Sequence, residues 1–167
     1  MGSWGITMRQ SDDGLDLLDL LILQQLKETD FAIFNVSEAI ELLRQDILER
    51  IKKENQGCSP EDMDLYIEAN FPQNFTQTEL LIAECLADYY RTGELVVYDY
   101  VGENYDQVEH HIKEFVVTET DLQLLLEDLQ SVQDPEHWLY QSWIRDETHK
   151  EWLTHIQGVC QTLKVHT

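Results

Sequence analysis

Basic side chains are scarce in this sequence of 167 residues: 11 lysines and arginines stand against 33 aspartates and glutamates, a formal charge of -22 with histidine neutral. Such an excess repels phosphate backbones and anionic lipid headgroups, so direct binding to nucleic acid or to a membrane surface is not expected, whereas a cationic partner is attracted. Long apolar runs are also missing. The longest, residues 20–23 and 80–83, fall far short of the ~20 residues that a membrane-spanning helix needs. Arg9 is the only base before the first apolar stretch and no cleavage pattern follows it, which leads us to expect a cytoplasmic protein.

Cysteine is equally thin. Cys58, Cys85 and Cys160 make an odd number at wide spacing without a Cys-x-x-Cys, which argues against a disulfide or zinc framework. Cys85 and Cys160 sit in apolar helical contexts and read as small buried hydrophobes, Cys58 as exposed. Only 7 glycines and 3 prolines are present. There is no phosphate-cradling glycine loop with its lysine, no Gly-x-Ser-x-Gly elbow and no His-Glu-x-x-His, so catalysis is not expected.

What the chain does have is 43% apolar residues, enough at this length to bury roughly 70% of the surface exposed by the unfolded form. No low-complexity tract, repeat or linker divides it, and we read residues 1–167 as one domain. The charge is uneven. Residues 92–136 carry twelve acids and Lys113 as their only base, a local charge of -11, half of the total. Such a stretch is either a solvated face or a docking surface that speeds encounter with a basic protein. Asp99, Glu103, Asp106, Glu109 and Glu114 are the candidate partner-binding residues.

Helix punctuation recurs along the chain. Ser11 and Asp12 can cap a first helix whose Leu15, Leu18, Ile22 and Leu26 share a face. Ser37 is expected to cap a second, with Ile40, Leu43, Ile47 and Ile51 as its buried stripe, Asp46–Arg50 and Glu49–Lys53 as surface pairs, and Gly57 at its end. Ser59-Pro60-Glu61-Asp62 opens a third helix that should stop before Pro72, and Thr76 with Glu79 forms a capping box for a central helix ended by Gly93. Residues 95–101, rich in Val and Tyr, suggest a short strand; residues 105–116 are expected to be a helix with a mixed face. Thr118 and Asp121 start a helix through Leu122, Leu125, Leu126 and Leu129. Asp134-Pro135-Glu136 then opens a C-terminal helical pair, bent near Arg145 or Asp146, in which Trp138, Trp143 and Trp152 pack. The expected fold is all-α, or mainly α with at most one short hairpin or strand near residues 95–117, in a bundle of about six to seven helices.

The opening Gly2-Ser3-Trp4-Gly5, followed by Asp12, Asp13, Leu15 and Asp16, resembles the start of an uncharacterised bacterial family, domain of unknown function 4259. Residues 79–91 and the C-terminal Trp143, Trp152 and Leu163 are similar to a mid-chain helix and a tryptophan-bearing tail of that family; the acidic, Tyr-rich residues 95–114 depart from it. The resemblance implies a bacterial, helical protein and assigns no functional residue.

Read physically, Gly2 and Gly5 permit a tight turn that plugs Trp4 into the core. Asp12, Asp13, Asp16 and Asp19 crowd one stretch of the first helix, where like charges repel; they are caps and solvated groups, or they hold a cation, calcium above all, or a partner's arginine. The stretch Asp99, Glu103, Asp106, Glu109 is rich in oxygen ligands but lacks the glycine position of an EF-hand loop. His110 with Glu114, and Glu151 with His155, stand at i, i+4 and read as surface ion pairs, since a di-iron bundle needs two Glu-x-x-His motifs. Two functions follow: a non-catalytic acidic protein, immunity- or inhibitor-like, that covers a basic protein, needing no cofactor; or a small module binding calcium or another metal.

Overall fold

A computed structural model describes residues 6–10, 18, 33–101, 106–143 and 147–166. After a 3-10 turn at Met8–Gln10, a short strand β1 (Ile33–Asn35) leads straight into helix α1 (Val36–Glu54). The cap of α1 is Asn35 rather than Ser37: the Asn35 side chain accepts from the Glu38 amide at 3.3 Å. Ser37, already inside the first turn, turns its hydroxyl outward to another helix. The expected stripe Ile40, Leu43, Ile47 and Ile51 is buried together with Val36 and Ala39. On the water side Arg50 Nε donates to Asp46 at 2.6 Å, the i, i+4 pair expected there.

Helix α2 (Pro60–Thr92) begins as its chemistry predicts, with Ser59 accepting from the Asp62 amide and Pro60 at the first position. It does not stop before Pro72. The helix runs on for 33 residues, ~50 Å at 1.5 Å per residue, and Thr76 and Glu79 lie buried within it instead of capping a new one. A proline inside a helix removes one backbone hydrogen bond and costs ~3 kcal/mol. The continuous phase of the apolar stripe offsets this: Met63 and Ile67 before the proline and Phe75 and Ile82 after it follow one helical face onto the same core. The helix ends at Gly93, whose φ of 84° is left-handed and whose amide donates to the Tyr89 carbonyl at 2.8 Å.

Strand β2 (Leu95–Val101) follows and pairs antiparallel with β3 (Asp106–Ile112), with Leu95 opposite Ile112 and Val101 opposite Asp106. The helix expected over residues 105–116 is thus replaced, among the described residues, by strands. The apolar positions of β3 recur every second residue, with Ile112 buried and Val108 and His110 half-buried, while Gln107, Glu109 and His111 face out. A third short strand, β4 (Glu114–Val116), pairs parallel with β1, setting Phe34 against Phe115 with ring centroids 4.9 Å apart. The fold is therefore mainly helical with a few short strands, not a pure all-α bundle.

Helix α3 (Glu119–Ser131) opens on a complete capping box: Asp121 N–H donates to the Thr118 hydroxyl, and the Thr118 amide to the Asp121 carboxylate. Leu122, Leu125, Leu126 and Leu129 are buried, as their spacing predicts. Residues 134–137 form a turn rather than a helix start, and the short α4 (Trp138–Trp143) follows, then α5 (His149–Lys164). Trp143 and Trp152 are buried and stack at 5.7 Å, 10° from parallel, one on each of these helices. Arg145 and Asp146, where a bend was expected, lie outside the described residues. At the centre is the second half of α2: Leu80, Leu81, Ile82, Ala83, Leu86 and Ala87 are at most 1% exposed, and α1, α3, α5 and β2 all pack on this helix. Leu18 is helical and packs on the same core.

Candidate functional site

Of the five acids expected to face a partner, Asp106 and Glu109 lie on β3 and Glu114 on β4, all three exposed. Asp99 holds the β2 position opposite Val108, and Glu103 lies outside the described residues. A strand alternates its faces, so Asp106 and Glu109, three apart, point to opposite sides of the hairpin and do not form one surface. Glu109 instead joins a small outward cluster: His111 Nδ1 is 3.1 Å from Glu94 Oε2, and its Nε2 is 3.6 Å from Glu109 Oε1. Asp12, Asp13, Asp16 and Asp19, with Trp4 and Gly5, also lie outside the described residues.

The more continuous acidic surface is built by α3 and the parallel strand pair that feeds it. Strands β1 and β4 run side by side, β1 passing directly into α1 and β4 into α3 after two residues, so the N-termini of α1 and α3 are neighbours. The Ser37 hydroxyl ties them, donating to Asp121 Oδ2 at 2.6 Å. Partial burial works against the charge on Asp121, but the hydrogen bonds from Ser37 and Thr118 outweigh it and hold the carboxyl below its ordinary range. Glu38 and Glu119 occupy the first turns of the two helices, where negative charge meets the positive end of the dipole.

Helix α3 contains four acids, Glu119, Asp121, Glu127 and Asp128, and no base. With its leucines turned inward, its outer face presents Glu119, Thr120, Gln123, Leu124 and Glu127 along a shallow, open groove of about 470 Å³. Leu124 is half-buried there, between the two carboxylates. Exposed Ile33 and Val116 lie on the outer side of the β1–β4 pair, next to Glu114. Across the described residues, seventeen Asp and Glu are exposed against seven Lys and Arg.

Four further acids, Glu79, Glu84, Asp88 and Asp128, were not legible in the sequence as ties within the fold. Glu84, on the buried side of α2, is 2% exposed; its Oε1 accepts from the Met8 amide at 3.0 Å and faces His155 Nε2 at 2.8 Å. His155 thus pairs with α2, not with Glu151 one turn before it. Cys85, next along the chain, has its thiol pushed up to about 12 by burial. Arg9 pairs with Asp88 one turn further on, and Arg91 Nη1 stands 3.5 Å from the same carboxylate, so the N-terminal turn is fastened to α2 at two points.

The second buried group lies where α1, α2 and α3 meet. Arg44 stacks its guanidinium over Phe75, 4.1 Å from the ring centre, and reaches to 3.9 Å from Glu79 Oε1. Burial pushes the Asp128 carboxyl up to about 6, although Arg44 pulls it the other way. Arg44 Nε, Glu79 Oε1 and Asp128 Oδ2 are all buried without a hydrogen-bond partner. Neither this group nor the Glu84–His155 pair opens into one of the two shallow grooves described on this surface; the other, of about 310 Å³, is lined by Gln130, Gln133, Gln157, Cys160, Gln161 and Lys164. Both groups act as internal ties.

Among the described residues, no cluster of three or more His, Cys, Asp or Glu is arranged to hold a metal ion, and no helix is long and apolar enough to cross a membrane. The chain matches no protein-family model, no curated protein and no solved structure.

Proposed function

We propose that this is a non-catalytic, cytoplasmic interaction protein whose acidic face, on α3 and the strand before it, covers a cationic surface of a protein partner, in the manner of an immunity or inhibitor protein. The observation that carries this reading is the outer face of α3: two exposed carboxylates, Glu119 and Glu127, flank Leu124 on a helix that contains no base. Exposed Glu114 and Glu38 extend the same field across the β1–α1 side. A field of one sign speeds encounter and selects an oppositely charged partner, while the apolar residue supplies contact that salt does not screen.

The test is capture on the immobilised protein from its source cytosol at about 50 mM salt, followed by a step to about 0.5 M, where charges are screened within a few ångströms. The expected result is a specifically retained basic protein, released by the step and not held by the triple variant Glu114→Gln/Glu119→Gln/Glu127→Gln. A partner held equally well at both salt concentrations, or by the neutralised variant, removes the electrostatic reading.

A further inference from the structure

The first ten residues of α2, from Pro60 to residue 69, differ from the rest of that helix in being almost wholly exposed. Met63 and Ile67 alone turn inward to the core. On the other side stand Leu65 and Tyr66, 65% and 41% exposed, among the largest apolar side chains that the described residues offer to solvent. They are neighbours, and helical spacing frames them. Glu61 and Asp62 lie one turn before them and Glu68 one turn after, with Asp64 alongside, all exposed and with no base within the segment.

We propose that this face of α2 is a second docking surface, and that its occupant is an amphipathic basic helix of a partner protein, with an aliphatic side chain seated on Leu65 and Tyr66 and lysines or arginines one turn to either side. Charge complementarity decides the class of occupant. Four carboxylates around the apolar pair disfavour a second copy of this chain, which would bring the same four, and disfavour an acidic lipid surface. The apolar pair disfavours a purely polar polycation, because it would leave Leu65 facing water. A helix fits because acid, apolar and acid positions recur at one-turn intervals, 5.4 Å apart along the axis. This surface lies on a different element from the α3 face and stands or falls separately from it.

The probe is a synthetic helical peptide with leucine on one stripe and lysine one turn to either side of it, measured by fluorescence anisotropy against a peptide of the same composition in scrambled order. The ordered peptide should bind more tightly than the scrambled one, and Leu65→Ser/Tyr66→Ser should weaken it by about tenfold or more, since an anchoring apolar side chain carries much of such a contact. Glu61→Gln/Glu68→Gln should weaken it at low salt only, and Glu119→Gln/Glu127→Gln should leave it unchanged. Leu65→Ser alone, at the more exposed of the two positions, should weaken binding while keeping the urea midpoint of the wild type, which separates lost binding from lost folding. Equal binding of ordered and scrambled peptides, or full binding by Leu65→Ser/Tyr66→Ser, overturns the proposal. Loss confined to the α3 variant also overturns it, while leaving the α3 reading standing.

Discussion

Asp128 gives a sharp test of how charge is handled inside this protein. It stands three residues from the end of α3, where the carbonyl end of the helix already disfavours a negative group, and one of its oxygens is buried without a hydrogen bond. Burial raises its carboxyl from 3.8 to about 6 in spite of Arg44. At 1.36 kcal/mol per pH unit, that difference is worth ~3 kcal/mol; because the carboxyl keeps some contact with solvent, screening leaves ~1–1.5 kcal/mol. The sign follows from proton uptake. Between about pH 4 and pH 6 the folded state holds a proton that the unfolded chain releases, so the contribution of Asp128 to stability falls as pH rises, and the whole penalty is present above pH 6. Asp128→Asn carries no such penalty. Urea unfolding followed by tryptophan emission, with the Trp143–Trp152 stack as reporter, should show the variant more stable by ~1–1.5 kcal/mol at pH 7.5, the gap narrowing as pH falls and closing only near pH 3, below the 3.8 of the unfolded carboxyl. Other carboxylates titrate in both proteins and cancel in the difference. A variant less stable at pH 7.5 would mean that attraction to Arg44 exceeds the cost of burial, and an offset that does not change with pH would refute the linkage argument.

Two further outcomes follow from local structure. Thiol titration of the native protein at pH 8 should show Cys58 reacting at once, with Cys85 and Cys160 reacting only on unfolding, because both are buried and the Cys85 thiol is pushed up to about 12; three fast thiols would contradict the core assignment. Gly93→Ala should cost about 1 kcal/mol in urea unfolding, since space for a methyl group exists but a left-handed φ of 84° does not suit an L side chain; a neutral substitution would mean that the α2–β2 turn is not left-handed.

Helix starts were legible wherever the chemistry was local. Ser59 with Pro60, and Thr118 with Asp121, satisfy orphan amides within three residues, and Gly93 closes α2 by the same short-range logic. Asn35 displaced Ser37 as the cap of α1 because the helix starts two residues earlier than Ser37 signals, straight out of β1, and a strand of three residues leaves no periodicity to read. That strand owes its existence to Phe115, some eighty positions away, and a parallel pairing at such a distance cannot be found from either segment alone. Pro72 misled for the opposite reason. It is a true local signal for a helix end, overridden by a stripe that keeps its phase from Met63 to Ile82. Residues 105–116 misled because polar and apolar positions three or four apart fit a helix, while burial follows the two-residue period of a strand paired with β2.

The acidic excess was plain in the composition, but its distribution was not. Glu79 and Glu84 lie in the most apolar run of the chain, and nothing local says that both point inward; only the assembled fold brings Arg44 from α1 and His155 from α5 against them. These ties also shape the outside. Arg9 and Arg44, two of only eleven strong bases, are half-buried against Asp88 and Glu79, and Arg50 is paired with Asp46 on its own helix. Among the described residues, Arg9 and Arg44 are thus the bases drawn toward the interior, while the other seven stay in water with seventeen of the carboxylates. The surface therefore keeps the excess of acid that the composition sets, and on α3 no base of the same helix offsets it. Exposing those arginines would weaken the outer field and strand the buried acids at the same time, so the packing that stabilises the core and the charge that attracts a partner rest on the same few side chains.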